Sequence, residues 1–95
     1  MMLSLDEVKK RLIPILASHR IQKASIFGSL ARGESSESSD IDILVELDDN
    51  ASLLDFVEIK FEIEEKLGQE IDLVEFTALK AALKNNILNE QVVIL

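Results

Sequence analysis

The chain has no cysteine, a single histidine, a single proline and no apolar run near the length of a membrane span. Without cysteine there is no disulfide framework and no thiolate metal site, so the Asn50-Ala51-Ser52 glycosylation pattern carries no weight. Without a span, and with a charged, amphipathic start from Met1 to Lys10 in place of a signal sequence, the expected location is cytoplasmic, with no membrane partner. Basic residues are also scarce, 10 against 18 acidic ones, for a net charge of −8. Neutralising a nucleic-acid backbone needs a basic surface, so direct nucleic-acid binding and template-directed polymerisation are disfavoured.

What remains is an ordinary globular composition, 47% hydrophobic and 29% charged, over 95 residues. That length predicts one domain spanning residues 1–95, too small for a second module that could grip a large acceptor. The charge is unevenly placed. Residues 1–33 carry six basic and two acidic residues, whereas residues 34–75 carry two basic and fifteen acidic. An acidic block of this length reads as solvated surface, part of which can be a cation site.

Ser4 and Glu7 have capping-box spacing, and Val8, Leu12, Ile15 and Leu16 share one helical face, which predicts a helix over 4–18, kinked or split by Pro14. Strands are expected over 21–27, 41–47 and 71–76, and a loop over 34–39. A helix capped by Ser52 should run to Leu67 and stop at Gly68, and another capped by Thr77 should reach Asn89. Gln91 to Leu95 reads as a last short strand or a packed terminus. Strands alternating with helices predict an α/β or α+β fold, a small mixed β-sheet with helices packed on it.

Asp40 and Asp42 open the second strand with side chains on one face, so their carboxylates can converge on hard cations, although an isolated Asp-x-Asp also reads as a polar strand entry. Asp72 sits one residue into another apolar strand, where a lone charge is costly unless paired or metal-bound. If the two strands are neighbours, three carboxylates can hold two divalent ions for in-line displacement at phosphorus; otherwise Asp72 is an edge-strand residue facing water. Gly28 and Ser29 occupy a strand-to-helix junction where backbone N–H groups can meet a phosphate, if it is more than a tight turn. The Gly28 to Gly33 spacing starts like a P-loop, but Glu34 stands where the lysine is required. Arg32 can neutralise phosphate or pair with Glu34 or Glu37, His19 reads as a helix-end residue, and Phe27 as core. Residues 52–67 place apolar groups on two sides, Leu53, Leu54, Val57 and Phe61 on one and Phe56, Ile59, Ile63 and Leu67 on the other. Such a helix is covered twice, by the sheet and either by its own chain or by a partner.

The string GSLARGESSESSDIDILVEL, followed by EIDLVE, resembles the minimal nucleotidyltransferases of the DNA polymerase beta superfamily. The resemblance spans nearly the whole chain and implies their fold. It implies that Asp40, Asp42 and Asp72 hold two magnesium ions, and that Gly28 and Ser29 hold the outer phosphates of ATP. Asp72 would help to deprotonate an acceptor hydroxyl, and Arg32 would take up pyrophosphate charge. Members of this size resemble the antitoxin half of two-gene systems, transferring AMP from ATP to a tyrosine of a helical HEPN toxin. A different class of reading is an antitoxin that blocks the toxin by binding alone. Transfer to a small molecule ranks lower, because similar enzymes need an extra helical domain. The base preference, the acceptor residue and homo-oligomer formation stay open at this level.

Overall fold

The computed structural model describes residues 4–31, 33, 41–48, 50–78, 89 and 91–95. Helix α1 (Leu5–Ser18) begins where expected. The Ser4 hydroxyl accepts the Glu7 N–H at 3.2 Å, Asp6 and Glu7 complement the positive end of the helix, and Val8, Leu12, Ile15 and Leu16 are buried. Pro14 does not split it. The helix is continuous through Pro14, whose ring lies on the exposed side, so water can serve the Lys10 carbonyl that has lost its intrahelical N–H partner.

The end of α1 explains why the first strand starts late. Arg20 takes φ 59°, and the Ile21 N–H reaches back to the Leu16 carbonyl at 3.0 Å, a Schellman-type closure that seats buried Ile21 against the core. Ile21 is used in that reversal, and strand β1 is Lys23–Phe27. A one-turn helix α2 (Gly28–Ala31) follows directly. Strand β2 is Ile41–Glu46, helix α3 is Leu53–Leu67 and strand β3 is Ile71–Glu75. Phe76 opens a 3-10 turn (Phe76–Ala78) instead of extending β3. Most of the helix expected over 77–89 lies outside the described residues; the terminus supplies β4 (Val92–Val93).

Helix α3 shows why its boundaries were readable. Ser52 and Asp55 form a reciprocal capping box, with Asp55 N–H to Ser52 Oγ at 3.2 Å and Ser52 N–H to Asp55 Oδ2 at 2.9 Å. Gly68 closes the helix in the left-handed conformation at φ 72°, its N–H on the Glu64 carbonyl at 2.8 Å.

The sheet is mixed, in the order β3-β2-β1-β4. β1 is antiparallel to β2 and to β4, and β2 is parallel to β3 through the α3 crossover. Ala24, Ile26, Ile41, Ile43, Val45, Ile71 and Leu73 share one face and pack against Val8, Leu12, Leu16, Ile59, Ile63 and Leu67 of α1 and α3. Alternation along the strands then sends Ser25, Phe27, Asp42, Leu44, Asp72 and Val74 to the opposite face. Phe27, expected in the core, is therefore half-buried on the far side of the sheet from the helices. His19 caps the end of α1, and its Nε2 lies 2.5 Å from Glu62 Oε2, fastening α1 to α3.

Candidate nucleotidyl-transfer site

The register of three strands assembles the site. Asp42 pairs across β1–β2 with Phe27, the residue before Gly28, and across β2–β3 with Asp72. Neighbouring strands lie about 4.8 Å apart, so in-register side chains on one face stand side by side. The two aspartates are thus adjacent on the face away from the helices, Asp42 half-buried and Asp72 exposed. β3 also borders the described sheet, so Asp72 is both a neighbour of Asp42 and an edge-strand residue open to solvent.

Gly28 has a role that spacing alone did not disclose. Its φ is +75°, a conformation in which any side chain is strained, and a Cβ there would overlap Oδ2 of Asp42. The carboxylate of Asp42 therefore rests on the bare Cα of Gly28, and the β1–α2 junction is held against that carboxylate. The first N–H groups of a helix have no intrahelical partner, so α2 can present donors to an anion there, although one turn supplies little macrodipole. The signal that would have found this contact is the Gly directly after a strand whose last residue pairs with the Asp-x-Asp strand.

Arg32, Asp40 and the side chain of Ser29 lie outside the described residues. Among the described residues no group of three or more His, Cys, Asp or Glu side chains is gathered to hold a metal ion. The two carboxylates that are described have the oxygen donors and the adjacency that a hard divalent cation takes. A cavity of about 300 Å³ opens further along the same face, over Ser25, Leu44, Phe76 and Val93, and includes neither aspartate. No helix among the described residues is long and apolar enough to cross a membrane.

With this geometry in view, the comparisons are specific. Residues 10–95 match the family model described as "Polymerase beta, Nucleotidyltransferase". A Methanocaldococcus jannaschii protein named as a "Putative protein adenylyltransferase" is 50% identical over 93 residues, covering 98% of this chain and 100% of its own. "Protein adenylyltransferase MntA" of Thermococcus cleftensis is 36% identical over 99 residues, 96% of each chain. A solved structure named "Structure of putative minimal nucleotidyltransferase" superposes with a TM-score of 0.81 at 31% identity, over 95% of both chains. The fold also matches, with a TM-score of 0.72 at 20% identity over 93% of this chain and 69% of the other, an MNT antitoxin in complex with a tri-AMPylated Shewanella oneidensis HEPN toxin. A glycine junction resting on a strand aspartate, that aspartate's in-register partner and a family match over residues 10–95 give one conclusion: the chain belongs to the polymerase beta nucleotidyltransferase family, among its minimal members.

Proposed function

We propose that this chain is a magnesium-dependent protein adenylyltransferase that moves AMP from ATP to a tyrosine hydroxyl of a HEPN-type toxin and so acts as its antitoxin. The observation that carries the reading is the in-register Asp42–Asp72 pair, with Asp42 seated against Gly28. Names of relatives 50% and 36% identical support protein adenylylation, and the fold shared with an antitoxin bound to an AMPylated HEPN toxin supports the partner.

In this reading Gly28 and Ser29 present backbone N–H groups to the β- and γ-phosphates, with Arg32 adding positive charge. Asp40, Asp42 and Asp72 would hold magnesium, which neutralises phosphate oxygens and lowers the cost of charge at the phosphorus. Asp72 accepts the proton of the acceptor hydroxyl, whose oxygen forms the new bond to the α-phosphorus. The bond from the α-phosphorus to the bridging oxygen breaks, and pyrophosphate leaves with that electron pair on the Gly28 side.

The test is transfer of α-phosphate-labelled ATP, with magnesium, into lysate of the source cells. Wild type should label one protein band and Asp42→Asn none; a band made equally by both would remove the carboxylates from the chemistry. A second reading, neutralisation by binding alone, is favoured by the exposed Leu53, Leu54 and Phe61 of α3. In a toxicity assay the binding antitoxin would survive Asp42→Asn, whereas the transferase would not.

A further inference from the structure

From the order of the strands we infer that the acceptor protein docks over the β3 edge of the sheet, in the apolar groove between β3 and the first turn of α3. The inference rests on the transferase reading above. In-line displacement places the attacking oxygen and the leaving pyrophosphate on opposite sides of the phosphorus. Gly28 follows β1, Asp42 lies on the central β2, and Asp72 lies on β3, which borders the described sheet. With the outer phosphates at the β1 end of that row, the hydroxyl enters from the β3 end.

That edge carries the concave apolar surface a protein acceptor needs. A groove of about 440 Å³ is lined by Ser52, Leu53, Phe56, Leu73, Val74 and Glu75. Leu53 and Leu54, 78% and 74% exposed, are the two most exposed large hydrophobic residues described, and Leu53 forms the groove wall. Glu75 is three residues along β3 from Asp72, about 10 Å at strand rise and on the opposite face, and the groove takes in Val74 from the Asp72 face as well as Leu73 and Glu75 from the other, so it opens at the strand edge. A standard protein interface covers about 800 Å² on each partner, a disc of roughly 16 Å radius, so an acceptor that folds around the β3 edge with its hydroxyl at Asp72 also reaches the groove.

Charge selects the kind of occupant. Residues 51–78 contain eight acidic and two basic residues. Like charge disfavours a second copy of this chain on that surface, and complementarity favours an acceptor that inserts an apolar side chain between lysines or arginines.

The experiment uses full-length Leu53→Glu and Leu54→Glu, with Ile13→Glu on the exposed side of α1 as the control. Labelling of the acceptor band is followed against lysate concentration at saturating ATP, and against ATP at fixed lysate. Both α3 variants should need at least tenfold more lysate for half-maximal rate, with unchanged ATP dependence and unfolding temperature, while the control matches wild type. Leu53→Ser and Leu54→Ser should show the same change to a smaller degree and replace the charged variants if these unfold. Wild-type-like lysate dependence in all four variants, or a shift confined to ATP dependence, would overturn the groove. A wild-type protein that labels nothing sinks the transferase reading itself, so the two failures are distinguishable.

Discussion

Gly28 is where backbone geometry and chemistry meet most tightly. A methyl group at this position meets two penalties, the left-handed φ of +75° and overlap with the Asp42 carboxylate. Gly28→Ala should therefore cost about 1–3 kcal/mol in denaturant unfolding, and it should lower the transfer rate more than that loss explains because Asp42 is displaced. Asp72 tests a different point. In the proposed reaction it takes the acceptor proton, a step worth about 10²–10⁴-fold in rate, so Asp72→Asn should lower kcat by that order in the labelling assay while its exposed position leaves stability nearly unchanged. Asp42, Asp72 and Gly28 were legible in the sequence as candidates because each is an unusual residue in or directly after an apolar strand. The contact between Gly28 and Asp42 was not legible, because it joins residues fourteen apart whose meeting depends on the β1–β2 register.

At the scale of elements, the local signals that a helix needs are written in neighbouring residues. Ser52, Asp55 and Gly68 fixed both ends of α3, and Ser52→Ala, which removes one arm of the capping box, should cost about 1 kcal/mol in unfolding free energy. Strand ends were less legible. β1 begins only at Lys23 because Arg20 and Ile21 close α1, and β3 ends at Glu75 because Phe76 turns. In both places the neighbouring element overrides an apolar run that by itself reads as strand. The two-sided apolar pattern of α3 was visible, but which side the sheet would take was not. Ile59, Ile63 and Leu67 are buried, leaving Leu53, Leu54 and Phe61 exposed.

For the whole molecule, stability and site are coupled through β2, which carries Asp42 on one face and fully buried Ile43 on the other. Ile43→Ala should cost about 2–5 kcal/mol and should lower the unfolding temperature without changing the lysate or ATP dependence of the protein that remains folded. Ligand linkage gives the opposite shift. Magnesium-ATP at 100 times its Kd stabilises a binding-competent fold by about 2.7 kcal/mol, roughly 10–20 °C for a domain of this size. Calorimetry should find that rise in wild type and its loss in Asp42→Asn.

By itself the sequence determined the alternation of helices and strands, the caps of α1 and α3, and the residue types of the candidate site, because these are set within one turn of helix or one strand repeat. Only the tertiary structure decided that β3 lies beside β2, that β1 closes against its other edge, and that Gly28 bears on Asp42. It also decided that the first turn of α3 stands open beside the Asp72 edge. Those relations link residues distant in the chain. They are fixed by how the apolar faces of α1 and α3 cover one face of the four-stranded sheet, which brings Asp42 and Asp72 together on the other.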